Sequence, residues 1–385
     1  MIELKFAQKE NIGFQYVMDA LRPCSPYGEE AVRLLQPYSP EQRPELLRQL
    51  NNIRRVLEGE DRCREPLNKM LSTFMTMKNI RLTVNKCREA ALNEIELFEV
   101  KRFLLQTDEI LPQFQRVQQV LALEGVSLED TRDALDLLDP ERNRIATFYI
   151  SDSYSPRLRT ARKAKKDLED QIRRLPGGEE KEALLARRVL AAAEEEHEEM
   201  VVRGQLSEKL RPYLDAMLHN MDAVADIDLT VEKAGLAKKY GGVMPRLTEA
   251  SLRMEDMINP QIADVLEEKS KRFTPVSIAL EKGATVITGA NMGGKSVAMK
   301  TVALNVLLLQ AGFLVCAKKA KMPLFSSVKM LFDDLQSIQS GLSGFGSEIV
   351  QFQKALTEVE QGYSLFLLDE FARGTNPDEG AVIVQ

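Results

Sequence analysis

Gly289-Ala290-Asn291-Met292-Gly293-Gly294-Lys295-Ser296 is the stretch on which the reading of this 385-residue chain turns. It fits G-x-x-x-x-G-K-[ST], a pattern that acquires meaning between a strand and a helix. Ahead of it the β-branched run Ala284-Thr285-Val286-Ile287-Thr288 predicts a strand over 284–288, and behind it an apolar periodic segment predicts a helix over 297–311. In that setting the glycines let main-chain N–H groups turn inward around a β-phosphate, and the helix N-terminus adds positive potential. Lys295 then reaches the β- and γ-phosphates, and the Ser296 hydroxyl ligates Mg²⁺. The competing reading is a chance glycine-rich turn; the flanking strand and helix patterns weigh against it.

Downstream, Leu365-Phe366-Leu367-Leu368-Asp369-Glu370 reads as a buried parallel strand ending in two carboxylates, at the strand end where such sheets bind ligands. Asp369 is placed to hold Mg²⁺, and Glu370 to polarise an attacking water. Between the two motifs, Ser340-Gly341-Leu342-Ser343-Gly344-Phe345-Gly346-Ser347 precedes an amphipathic helix expected from Glu348. A run of glycines and serines before a helix forms either an anion-binding nest or a plain flexible loop, and composition alone leaves both open.

Upstream the texture is different. Residues 1–245 read as a multi-helix body, with apolar spacing such as Leu46, Leu50, Ile53 and Leu57, punctuated at Pro23–Gly28, Pro37–Pro40 and Ser151–Pro156. Within it, residues 157–200 read as two antiparallel helices joined at Pro176-Gly177-Gly178. The first arm is net +5 and the second net −5. One reading makes the first arm a DNA-facing lever; the blander one has the arms neutralise each other. After residue 245 short β-branched runs appear, at 284–288, 313–315 and 365–368, interleaved with helical patterns. They predict a mostly parallel α/β sheet in 246–385. The expected class is therefore α + α/β, a helical core and lever part followed by an ABC-type P-loop part.

Composition narrows the function classes. A chain 44% hydrophobic and 29% charged is an ordinary globular protein, which excludes a mainly disordered one. The longest apolar run, Val302–Leu309, is broken by Asn305 and is far short of the roughly 20 residues that span a bilayer. The N-terminus carries no secretory pattern. Cysteines 24, 63, 87 and 316 form no CxxC pair, and reduced thiols in the cytoplasm are expected. Net charge is −6, with acids exceeding bases on both sides of residue 245, so any nucleic-acid contact must come from a local patch. His197, in an acidic helical run, and His219, beside Met217 and Leu218, read as structural.

These residues resemble the ATPase domain of the MutS family of DNA mismatch-repair and recombination proteins. Thr288–Ser296 is close to the family's TGPNMGGKS, with Ala290 where proline is usual. Asp369-Glu370-Phe371-Ala372-Arg373-Gly374-Thr375-Asn376 is similar to its DE-x-x-RGT loop, and Leu342–Glu348 to its signature segment. The resemblance is strong over about 240–385 and diffuse before it, where Pro23–Gly28 is similar to the start of the helical core and Ser155–Leu158 and Asp226–Leu229 to lever helices of the MutS2 branch. It implies ATP and Mg²⁺ as cofactors, a homodimer, and DNA as the cargo. Ser343 and Ser347 would then reach the γ-phosphate held by the partner subunit, and Phe273 would stack on adenine, although core packing explains Phe273 equally well. An alternative cargo is a protein client to be remodelled, favoured by the lack of a basic clamp. A mismatch-reading domain is not expected. The chain stops 15 residues after Glu370, so a C-terminally truncated ATPase domain with impaired hydrolysis is expected.

Overall fold

The computed structural model describes residues 6–249, 251–290, 293–331, 344–357, 359 and 362–369. From Phe6 to Tyr240 the described chain is helical: α1 (Phe6–Ile12), α2 (Phe14–Ala20), α3 (Pro26–Arg33), α4 (Arg43–Gly59), α5 (Arg64–Phe74), α6 (Arg81–Cys87), α7 (Glu94–Leu121), α8 (Arg132–Leu138), α9 (Pro156–Arg174), α10 (Glu179–Leu210) and α11 (Leu214–Tyr240). Strands and helices then alternate: β1 (Arg246–Leu247), β2 (Leu252–Met257), α12 (Pro260–Glu268), β3 (Val276–Leu280), α13 (Lys295–Gln310), β4 (Lys319–Met322), β5 (Ser327–Leu331), α14 (Gly344–Thr357) and β6 (Ser364–Leu368). The fold is mixed helix and sheet. No described helix is long and apolar enough to cross a membrane.

Local sequence explains the helix ends. Ser25 caps α3 by accepting from the Gly28 N–H at 2.9 Å, with Pro26 at the first helical position. Asn93 and Glu96 form a reciprocal capping box on α7 at 2.9 and 2.8 Å. Gly241, at φ +63°, ends α11 in the left-handed conformation that glycine adopts without a Cβ penalty. Leu46, Leu50, Ile53 and Val56 all lie at 0% exposure, so the three- and four-residue spacing of α4 is its core face. The Asp228 carboxylate on α11 accepts from the N–H groups of Cys24 and Ser25 and from the Ser25 hydroxyl, at 3.0, 2.7 and 2.6 Å, which pins the start of α3 to the middle of α11.

The arms of the hairpin are α9 and α10, and their charges meet. Arg162 bonds Glu199 at 2.7 Å and Glu195 at 3.3 Å, Lys165 bonds Glu195 at 2.6 Å, and Arg188 of α10 bonds Glu169 of α9 at 2.8 Å. The neutralising reading of the two arms holds for these residues. His197 is exposed on α10, and the His219 ring bonds Ser127, consistent with structural roles for both.

Three strand expectations need correction. The four-stranded sheet has the order β1-β4-β2-β3 and is mixed: β1 runs parallel to β4, but β2 pairs antiparallel with both β3 and β4. Along β2 the burial alternates, with Leu252 and Met254 inside and Arg253 exposed, the half-wet pattern that antiparallel pairing tolerates. Residues 284–288 are not a strand. They run as exposed irregular chain, Val286 81% exposed, because they join no ladder among the described residues; β5 and β6 pair with each other instead. Residues 313–315 contribute one bridge, Val315 to Val243, since the N–H of Phe313 is engaged by Leu308 at the end of α13. By contrast 365–368 forms β6 as expected, parallel to β5 in the register Ser327–Ser364 to Leu331–Leu368.

One continuous apolar core runs from Ile12 and Leu46 in the helical part to Leu307, Met322 and Leu367. Helix α13 is its central piece, buried from Thr301 to Gln310 on every side. Burial on all faces explains why the run lacks a polar stripe and yet is not a membrane span.

Candidate functional site

The glycine-rich loop leads directly into α13, which begins at Lys295, two residues earlier than the sequence pattern indicated. Gly294 stands as its N-cap at φ +85°, a left-handed conformation that strains any residue with a Cβ. The Gly293 N–H donates to the Ala290 carbonyl at 3.0 Å, and a Cβ on Gly293 would lie 2.8 Å from that oxygen. Both glycines are therefore required by the turn. Lys295 folds back so that its Nζ donates to the carbonyls of Gly289 and Ala290, at 2.8 and 3.0 Å. Lys295 thus turns its ammonium back onto residues 289 and 290 at the N-terminal end of a 16-residue helix, with the half-buried Ser296 in the first turn. That donor set, main-chain N–H groups plus a lysine, fits a phosphate.

Asp369 follows β6 directly. Its N–H donates to the Leu331 carbonyl at 3.1 Å, which extends the parallel ladder one step and fixes the residue at the carboxyl end of the β5–β6 pair. Phe273 is half-buried in irregular chain three residues ahead of β3. The signature segment departs from expectation in one respect: α14 begins at Gly344, four residues before Glu348, so its last residues are helical rather than loop. Ser347 lies on α14, its side chain outside the described residues. Asn291, Met292, Ser343 and Glu370 lie outside the described residues altogether.

Polar anchors behind the loop went unnoticed in the sequence. Asn305 of α13 donates from Nδ2 to the carbonyls of Thr301 and Ile258, at 2.9 and 3.2 Å, and accepts from the Cys316 N–H at 2.7 Å. Gln310 donates to the carbonyls of Phe325 and Tyr38, at 2.8 and 3.1 Å, and its own carbonyl accepts from the Tyr38 N–H at 2.6 Å. Lys233 of α11 is 1% exposed; its Nζ donates to the Ala311 carbonyl at 2.9 Å and lies 4.5 Å from the Phe313 ring centroid. A cation at the C-terminal end of a helix complements its dipole. Asn305 and Gln310 show in the sequence as polar residues within and at the end of an apolar helical run, whereas Lys233, next to Glu232, carries no such signal.

A second polar knot joins the helical part to α12. The Asp264 carboxylate accepts from the hydroxyls of Tyr16 and Tyr240, both at 2.7 Å, and from Lys239 at 2.9 Å. These donors hold its carboxyl below the usual range despite partial burial, and the bond to Asp264 pushes the Tyr16 phenol up to about 12.

Comparison with known proteins gives the site a context. Residues 285–385 match the family model described as MutS domain V, a span that takes in the glycine-rich loop, α13 and β6. The chain is 33% identical over 182 residues to an Endonuclease MutS2 of Agathobacter rectalis, covering 46% of this chain and 22% of that protein. It is 35% identical over 189 residues to the Endonuclease MutS2 of Thermomicrobium roseum, with 47% and 24% covered. To the DNA mismatch repair protein MutS of Staphylococcus aureus it is 29% identical over 184 residues, with 47% and 21% covered. The chain thus spans less than a quarter of the length of these relatives. Sequence and family match together make it a divergent relative of the MutS proteins, recognised over part of its length.

Proposed function

We propose that the chain is a MutS-type ATP-binding and ATP-hydrolysing protein, a nucleotide-switched dimer acting on DNA in mismatch repair or recombination. The observation that carries this reading is Lys295 at the N-terminus of α13, turned back onto the carbonyls of Gly289 and Ala290, inside the segment matched by MutS domain V. In this reading residues 289–296 form the P-loop, residues 246–385 the ATPase part and residues 1–245 the core and lever part. The loop N–H groups and Lys295 hold the β- and γ-phosphates. Ser296 and Asp369 hold Mg²⁺, which neutralises phosphate charge, and Glu370 orients the attacking water. Ser343 and Ser347 approach the γ-phosphate across a dimer, and Phe273 packs on the base. On the exposed side of α9, Arg159, Lys163, Lys166 and Arg173 recur at helical spacing and supply the local basic patch that a chain of net charge −6 needs in order to grip DNA.

Lys295→Ala removes the main cation of the loop, and nucleotide affinity measured by titration is expected to fall by at least about tenfold. An unchanged affinity would withdraw the assignment of the loop. For the cargo, log K for duplex or branched DNA should fall linearly with log salt, at about −0.9 per phosphate contacted. A flat salt dependence would replace DNA with a protein client.

A further inference from the structure

The four-stranded sheet has an inner and an outer face. Leu252 and Met254 of β2 and Met322 of β4 lie in the core at 3% exposure or less, so Arg253 and Lys321, one residue along, point outward. Ladder register sets Arg246 of β1 beside Lys321 of β4, and Lys321 beside Arg253 of β2. Three exposed cations therefore stand side by side on one rung of the outer face, spanning about 10 Å at about 4.8 Å between neighbouring strands. The rung ends at Ala279 of β3, opposite Arg253, and carries no carboxylate. Like charges directly opposite one another destabilise a sheet. Among the described residues none of the three forms an ion pair or a side-chain hydrogen bond, whereas the next rung pairs Lys319 with Glu255 at 3.5 Å. The sheet offsets charge on that rung and leaves this one uncompensated, the kind of local conflict that functional surfaces retain.

We propose that Arg246, Lys321 and Arg253 form a contact surface for the phosphate backbone of duplex DNA, separate from the basic side of α9. The composition of the face selects this partner. A protein partner needs an apolar centre, from which charged residues are depleted, and beyond its three cations this rung offers only Ala279. Interfaces with DNA are instead polar and strongly positive. Along a duplex one negative charge falls every roughly 1.7 Å of axis, so a row about 10 Å wide meets a dense line of phosphates. Binding relieves the mutual repulsion of the row and provides a local attraction in a chain of net charge −6. The proposal rests on DNA being the cargo, but neither on the nucleotide site nor on α9.

The test is fluorescence anisotropy of a labelled duplex oligonucleotide against the full chain, without nucleotide, over a series of salt concentrations. In Arg246→Gln/Arg253→Gln/Lys321→Gln the slope of log K against log salt should become shallower by up to about 2.7, at about 0.9 for each phosphate contact removed, and affinity at low salt should fall at least about tenfold. Lys321→Glu separates binding from folding, because it sets a carboxylate between two arginines. Its denaturation midpoint should rise while its affinity for DNA falls. A flat salt dependence in the unaltered chain would remove DNA as the cargo and this surface with it. A steep slope that the triple variant leaves unchanged, but that Arg159→Gln/Lys163→Gln/Lys166→Gln/Arg173→Gln lowers, would overturn this surface alone. Loss of polyglutamate binding in the triple variant, with DNA binding intact, would overturn it in favour of an acidic protein segment.

Discussion

The ammonium of Lys233 sits in the interior against one carbonyl and one aromatic ring, and desolvation pulls it down to about 7, partly opposed by the negative charge of Asp226 on the same helix. An unfolded lysine titrates near 10.4, so between about pH 7 and 10 the unfolded chain binds more protons and stability rises with pH. Below pH 7 both states are charged and the burial cost is fully present. Relative to Lys233→Met, the wild-type chain should gain about 2 kcal/mol between pH 7 and 9, read from denaturant titrations at each pH. A difference that stays constant over this window would mean that Lys233 titrates as an ordinary surface lysine. At the same scale, the sequence made the loop residues legible because Gly293, Gly294 and Lys295 each answer a backbone or charge demand that no other residue type meets. The roles of Lys233, Asn305 and Gln310 were illegible, because, the Thr301 carbonyl apart, the partners are main-chain atoms brought near by tertiary folding.

Among elements, helices were easier to read than strands. The boundaries of α9 and the start of α10 follow Ser155-Pro156 and Gly178, signals that act within one turn. The strand expected at 284–288 rested on β-branched composition alone, and a strand also needs a neighbour with free main-chain groups, which no local pattern reveals. The same limit explains the single bridge at Val315 and the antiparallel pairing of β2. For helices the local signals carry measurable energy. Asn93→Ala opens the capping box at the start of α7, whose buried face includes Leu97, Val100 and Leu104. Its expected cost is about 1 kcal/mol, seen as a lower denaturation midpoint at unchanged slope. A null result would place the anchoring of α7 wholly in its packing.

Across the whole molecule, the change of sequence texture near residue 245 does not coincide with a break in packing. Tyr38 and Gln310 exchange main-chain and side-chain bonds, Lys233 reaches Ala311, and α1 and α2 rest on α13. Heat should therefore melt both parts together, with calorimetric and van't Hoff enthalpies in agreement. Two resolved transitions would show that these ties carry little. The interlock around α13 also bears on how this gene can be handled. Severing it at codon 245 would strip the shelter from Leu307 on one fragment and from Phe14 on the other, and neither polypeptide should then stay in the soluble fraction unless the two are produced together.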